Sequence, residues 1–128
     1  MKKKFLGIAA TIALLTTAHS AYAERQTDTI EYKDLEADVM LDVDWNVFDD
    51  DEAEAETDFV NPNGENYVAV RLEMWEDEDE MSDYKYDRDK SLAECRYTWD
   101  GAEIFMSRHS IDSSDRSKEL VVRTFNDD

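Results

Sequence analysis

The chain has 128 residues, with 33 acidic against 14 basic side chains and a formal net charge of −19. That length suits one domain and excludes a large multidomain enzyme or a bundle of membrane helices. The charge argues against a nucleic-acid binder, which needs a basic face to meet phosphates.

Residues 1–23 read as a cleavable signal peptide. Lys2, Lys3 and Lys4 form a basic start, Phe5 to Leu15 an apolar stretch of 11 residues, and Ala21-Tyr22-Ala23 a small-x-small cleavage site. The apolar stretch falls short of the roughly 20 residues that span a bilayer. The expectation is a periplasmic or secreted protein, with no membrane insertion after signal removal. Residues 24–128 then form a single acidic β domain of 128 − 23 = 105 residues. Three lysines leave with the signal and every acid stays, so its charge is 11 − 33 = −22.

Glu24 to Asp28 is polar and reads as loose, and Thr29 to Lys33 alternates like a short edge strand. Asp34 to Ala37 reads as a turn or one helical turn. From Asp38 to Phe48 the period is two. Val39, Leu41, Val43, Trp45 and Val47 share one face, and Asp38, Asp42, Asp44 and Asn46 the other. That is a strand with one buried and one wet face. Asp49 to Asp58 packs seven acids into ten residues and reads as a solvated loop, because neighbouring carboxylates repel.

Asn61-Pro62-Asn63-Gly64 is a turn signal. Tyr67 to Trp75 alternates again, with Val68, Val70, Leu72 and Met74 opposite Tyr67, Ala69, Arg71, Glu73 and Trp75. Both faces carry apolar bulk, as expected of a central strand. Glu76 to Glu80 is a second acidic run. Met81 to Lys90 reads as a strand or an irregular connection. Leu92 to Trp99, Asp100-Gly101 and Ala102 to Met106 together read as a hairpin in which Trp99 pairs with Ala102, Tyr97 with Ile104 and Cys95 with Met106. Lys118 to Phe125 closes the domain. The expected fold is mainly β: an antiparallel meander, β-sandwich or open barrel of five or six strands, with at most a turn or two of helix.

Chemistry is sparse. Cys95 stands alone, so no internal disulfide forms, and it reads as a small buried apolar residue. His109, the one histidine after residue 23, reads as an exposed strand-end side chain, and no nucleophile elbow accompanies Ser107 or Ser110. One His and one Cys fall short of a zinc ligand set. Asp83 to Glu94 resembles a calcium loop in its oxygen spacing, but Lys85 and Arg88 occupy positions that need an oxygen and a glycine, so an EF-hand is rejected. Glu73 and Glu94 sit on strands beside apolar neighbours and are the candidate carboxylates for a small hydrolase.

No enzyme activity is expected. The leading expectation is an exported binding protein for a cationic protein partner, of inhibitor or immunity type, since complementary charge speeds and selects association. The candidate partner-binding residues are Asp38, Asp42, Asp44, Tyr67, Arg71 and Trp75, the aromatic pair forming an exposed patch. The alternative is a Ca2+ site on the acidic runs, Asp49, Asp50, Asp51 and Glu52 or Glu76, Asp77, Glu78 and Asp79; no other cofactor is expected. If Asp38–Phe48 and Tyr67–Trp75 are antiparallel neighbours, those runs leave opposite ends of the sheet. A third reading is adaptation to salt, in which the charge hydrates the surface and marks no site.

Overall fold

The computed structural model describes residues 21–46, 49–112 and 117–123, and every regular element among them is a strand. The strands are β1 (Ala21–Tyr32), β2 (Leu35–Asn46), β3 (Asp51–Phe59), β4 (Val68–Trp75), β5 (Asp83–Asp89), β6 (Leu92–Trp99), β7 (Ile104–Ile111) and β8 (Ser117–Arg123). They form two antiparallel four-stranded sheets, ordered β1-β2-β3-β6 (sheet A) and β5-β4-β7-β8 (sheet B). The mainly-β sandwich expected from periodicity is therefore the fold, and it is not a closed barrel. The signal-peptide reading lies almost wholly outside the described residues, although Ala21 to Ala23 pair in β1 with Asn46 to Asp44.

Period two builds both inner faces. On β2, Ala37, Val39, Leu41, Val43 and Trp45 are buried, and on β4 so are Val68, Val70, Leu72 and Met74. β4 is central, between β5 and β7. The mid-strand inward residues of β3 are small (Ala53, Ala55, Thr57), while the facing sheet supplies Leu72, Met74 and Phe105. Small against large lets the layers interdigitate at crystal-like density. Trp45 and Tyr97 flank Phe105 at ring-centroid distances of 5.5 and 6.3 Å. With Cys95 buried and unbridged, this core holds the fold, each fully buried Val, Leu or Phe contributing about 1.5–3 kcal/mol.

The strands differ from the expectation in three ways. The short strand at Thr29 is the end of a 12-residue β1, which pairs with β2 along its whole length. Its turn is Lys33–Asp34, with Lys33 at φ 60°, and Leu35 to Ala37 is strand, not helix. The acidic stretch read as a loop is β3: Asp51, Ala53, Ala55, Thr57 and Phe59 point inward, and Glu52, Glu54, Glu56 and Asp58 outward. Alternating burial of Ala53, Ala55, Thr57 and Phe59 stabilises the strand despite the repulsion between its outward carboxylates. Third, Asp83–Asp89 pairs with β4 as strand β5.

The expected hairpin around Asp100-Gly101 does not form. β6 pairs with β3 in sheet A, and β7 pairs with β4 and β8 in sheet B. Gly101 does turn the chain at φ 92°, but the Glu103 N–H then donates to the Trp75 carbonyl of the other sheet (2.8 Å). The face expected for the second strand was also the wrong one: Ile104 and Met106 lie on the ladder of outward Trp75 and Glu73, while Phe105, Ser107, His109 and Ile111 point inward opposite Met74, Leu72, Val70 and Val68. The turn at Asn61 to Gly64 is as expected. Gly64 has φ 80°, and the Asn63 side chain accepts the Glu65 and Asn66 N–H groups, both at 2.9 Å.

The sandwich edges are closed by side chains. Edge strand β5 directs Asp83, Lys85 and Asp87 towards β6. Tyr97 donates its hydroxyl to Asp83 (2.7 Å), and Asp87 accepts the Glu94 N–H (3.0 Å). At the other edge the Gln26 carboxamide brackets Val121, donating to its carbonyl (2.6 Å) and accepting its N–H (3.2 Å). Polar groups at such edges block pairing with a foreign strand.

Candidate acidic binding face

The outward positions of sheet A follow from the registers. They carry Glu31 on β1, Glu36, Asp38, Asp42 and Asp44 on β2, Glu52, Glu54, Glu56 and Asp58 on β3, and Glu94 on β6. Against these ten carboxylates stand Arg25 and Arg96, so the face carries 2 − 10 = −8. The arginines are engaged singly: Arg25 with Asp42 and Arg96 with Glu54, each at 2.8 Å.

Like charges face one another across the strands. Glu31 pairs with Glu36, Asp38 with Asp58, Asp42 with Glu54, Asp44 with Glu52, and Glu56 with Glu94. Directly opposed like charges destabilise a sheet. Two of the carboxyls hold protons more tightly than usual, chiefly through partial burial and secondly through like-charged neighbours. Asp44 is pushed up by partial burial, then by Asp42 and Glu52. Glu56 is pushed up by partial burial, then by Glu54, Glu94 and Asp58, with Arg25 opposing. Two shallow grooves cross the face. One, about 370 Å³, is lined by Thr27, Thr29, Asp38, Met40, Glu56 and Asp58. The other, about 200 Å³, runs beside Asp42, Asp44, Glu52, Glu54 and Arg96.

Of the six expected partner-binding residues, Asp38, Asp42 and Asp44 lie on this face. Tyr67, Arg71 and Trp75 lie on the outer face of sheet B, so the two halves of that set are separated by the core. On sheet B the charges are balanced around Glu73, which is 3% exposed. Its Oε2 lies 2.9 Å from Arg71 Nε and 3.2 Å from Arg108 Nε, and its Oε1 accepts the Trp75 indole N–H at 3.2 Å. Of the two arginine contacts, only that of Arg108 has hydrogen-bond geometry; the Arg71 Nε–H is misaligned and its contact is ionic. Arg71 also stacks on Tyr84 (4.0 Å to the centroid) and Arg88 on Tyr67 (3.8 Å).

The residues expected to bind a metal do not assemble into a ligand set. Asp51 is buried and accepts N–H groups from Asn46 (2.9 Å) and Ala102, and its pKa is raised, chiefly by burial. Asp49 caps Asp50, and Asp77 caps Asp79 and Glu80. Glu76 accepts the Trp99 indole N–H (3.0 Å), Glu78 pairs with Arg123 (3.7 Å), and Glu52 faces outward on sheet A. Nor do the two runs sit at opposite ends. Asp51 pairs with Trp99, and Trp99 reaches Glu76, so both flank one end of the sandwich. The expected geometry assumed that β2 and β4 share a sheet, which they do not.

The three carboxylates that do converge, among the described residues, are Glu54, Glu56 and Glu94, with ligand oxygens within 4.8 Å of one another. Oxygens around one Ca2+ lie about 2.3–2.6 Å from it, so this separation fits a shared ion. Three ligands, one already paired with Arg96, leave most of the shell to water. Sequence reading missed this trio because β3, which carries Glu54 and Glu56, was read as a loop and Glu94 lies on the separate strand β6. The signal was the alternation Glu52-Ala53-Glu54-Ala55-Glu56, which marks a strand. The Asp83–Glu94 segment forms β5, a turn and β6 rather than helices around a loop.

His109 is not an exposed strand-end residue. It is 0% exposed and joins the two sheets. Thr57 donates its single hydroxyl proton to the Ala69 carbonyl (2.8 Å), so it must accept from His109 Nδ1–H (2.8 Å). Nε2 is then the acceptor for the Ser107 hydroxyl at 2.6 Å. Burial lowers the His109 pKa to about 4, against a smaller upward effect of the Glu56 backbone. Ser107 and His109 have the spacing of a nucleophile and its base, but both are sealed from solvent. Cys95 is buried as expected, its thiol pushed up to about 11 chiefly by burial. The chain matches no family model, no curated protein and no solved structure.

Proposed function

We propose that the protein is an exported, non-enzymatic binding protein that docks a cationic protein on the outer face of sheet A, in an inhibitor or immunity-type role. The observation that carries this reading is the set of five directly opposed carboxylate pairs. Such pairing costs stability, and costs of that kind are kept where they serve a site. A guanidinium or ammonium group between two opposed carboxylates relieves the repulsion and is favoured by both. Adaptation to salt would spread acids over the whole surface. Here the outer face of sheet B has Arg71, Arg88, Arg108 and Arg123 against Glu73 and Glu119, or 4 − 2 = +2.

The test is the triple variant Glu52→Gln, Glu56→Gln, Glu94→Gln, titrated against a basic cell-wall hydrolase and a basic nuclease. Wild type binds at least one of them, more weakly as NaCl rises, and the variant loses about tenfold or more in affinity while melting higher. Unchanged affinity in the variant, or no binding of either protein at low salt, would sink the reading.

A second reading rests on the Glu54–Glu56–Glu94 convergence: a hydrated divalent cation held on the same face. It predicts a saturable rise in melting temperature with sub-millimolar CaCl2 at fixed ionic strength, abolished by Glu56→Gln. A shift reproduced by NaCl alone would reject it.

A further inference from the structure

The two outer faces of the sandwich are opposite in sign. Sheet A carries −8 and sheet B +2, on a chain whose formal charge is −19. The cationic face also carries two exposed aromatic rings, where the acidic face offers Leu92. Tyr84 and Tyr86 are 48% and 58% exposed, side by side with arginine planes. We infer that these faces are complementary to each other, and that the sheet B face of one molecule docks on the sheet A face of a second copy. The inference takes the acidic face from the reading above and adds the occupant and the opposite surface.

Charge complementarity argues for this occupant. The opposed carboxylate pairs need cations presented on a flat scaffold, and Arg88, stacked on Tyr67, projects from just such a scaffold on β5, the strand beside β4. Size sets the strength. Four strands about 4.8 Å apart, with some seven residues at about 3.3 Å, give a face of roughly 19 by 23 Å. That is about 450 Å² a side, or about 900 Å² in all, which belongs to the weak, transient class. The contact joins two different surfaces, so it is heterologous, and each added copy leaves both a free acidic and a free basic face. Salt acts in two directions. At very low ionic strength the net charges of whole molecules repel. Near 0.1 M the Debye length of about 10 Å screens that repulsion more than the pairs in contact, and higher salt weakens those too. Association therefore peaks at intermediate salt.

Sedimentation velocity at several hundred micromolar tests the inference, with wild type, a basic-face variant (Tyr86→Ala, Arg88→Glu) and an acidic-face variant (Glu52→Lys, Glu94→Lys). Wild type forms a concentration-dependent series of oligomers, most pronounced near 0.1 M NaCl. Each variant alone stays monomeric. An equimolar mixture gives a dimer and stops there, because each variant retains one working face. A monomeric wild type at all salt concentrations, or a basic-face variant that associates like wild type, overturns the inference. So does a wild type that remains monomeric while binding poly-glutamate through Arg88, since the occupant would then be an anionic polymer. Hydrolase and nuclease binding is measured in parallel on the basic-face variant, which keeps the acidic face. If it binds while wild type never self-associates, stacking fails and the docking reading stands.

Discussion

The two outer faces use the same strand period, yet they settle charge differently. On sheet B, Glu73 is enclosed by Arg71, Arg108 and the Trp75 indole, and Arg108 also pairs with Glu119. On sheet A, two arginines serve ten carboxylates. The first pattern is internally satisfied and contributes to the fold. The second leaves repulsion that folding does not remove, and only something outside the molecule can relieve it. Acid content alone therefore says little; what matters is whether each carboxylate finds its counter-charge within the chain.

The seam between the faces gives the largest expected effect. His109 has a folded pKa of about 4, below the ordinary value of 6.5. The unfolded chain therefore takes up this proton first as pH falls. Stability from this residue is complete above about pH 6.5, declines between there and about pH 4, and is flat below. A difference of that size corresponds to roughly 3 kcal/mol. The raised carboxyls Asp44, Asp51 and Glu56 act in the opposite direction, since the folded state takes up their protons first and gains stability on acidification. Urea denaturation from pH 7 to pH 4 should show a net loss in wild type. In His109→Gln the loss should vanish or change sign, exposing the gain from the acidic face. A wild-type curve that rises monotonically on acidification would contradict the buried neutral imidazole.

Next comes Glu73→Gln, which breaks the balanced face. Both arginines are partly exposed, so solvent moderates the cost, and about 1–2 kcal/mol of stability should be lost in thermal melts. Loss equal to that of an exposed acid on sheet A would erase the distinction between the faces.

Much of this architecture was legible in the sequence. The strands β2, β4 and β6 were visible because apolar residues alternate there with polar ones, from Val39 to Trp45, Val68 to Met74 and Ala93 to Tyr97. β3 was hidden because its inward residues are Ala53, Ala55 and Thr57, too small to announce a buried face, while its outward acids resemble a solvated tract. Sheet membership was not legible either. Cys95 and Phe105 point into one core from different sheets, and periodicity records only which way a residue points. Of the ten carboxylates on the acidic face, Asp38, Asp42 and Asp44 on β2 were named as partner-binding candidates. Glu94 was named only as a hydrolase carboxylate, and its convergence with Glu54 and Glu56 was missed, since it depends on β3 pairing with β6.

The smallest expected effect carries the most information about sheet A. Glu56 faces Glu94 directly and has Glu54 and Asp58 as neighbours along its own strand. Glu56→Gln preserves the side chain's length and hydrogen-bonding capacity while removing one charge from that cluster. Relief of a single opposed pair is worth about 0.2–1 kcal/mol, so the variant should be slightly more stable than wild type at pH 7. The gain should shrink as added NaCl screens the repulsion, and as the pH falls and Glu56 itself takes up a proton. Asp28→Asn, which removes an acid paired with Lys118 at 3.4 Å, should show no such gain. If both substitutions stabilise equally, the benefit comes from lowering net charge anywhere on the chain, and the opposed carboxylates of sheet A lose their claim to be a site.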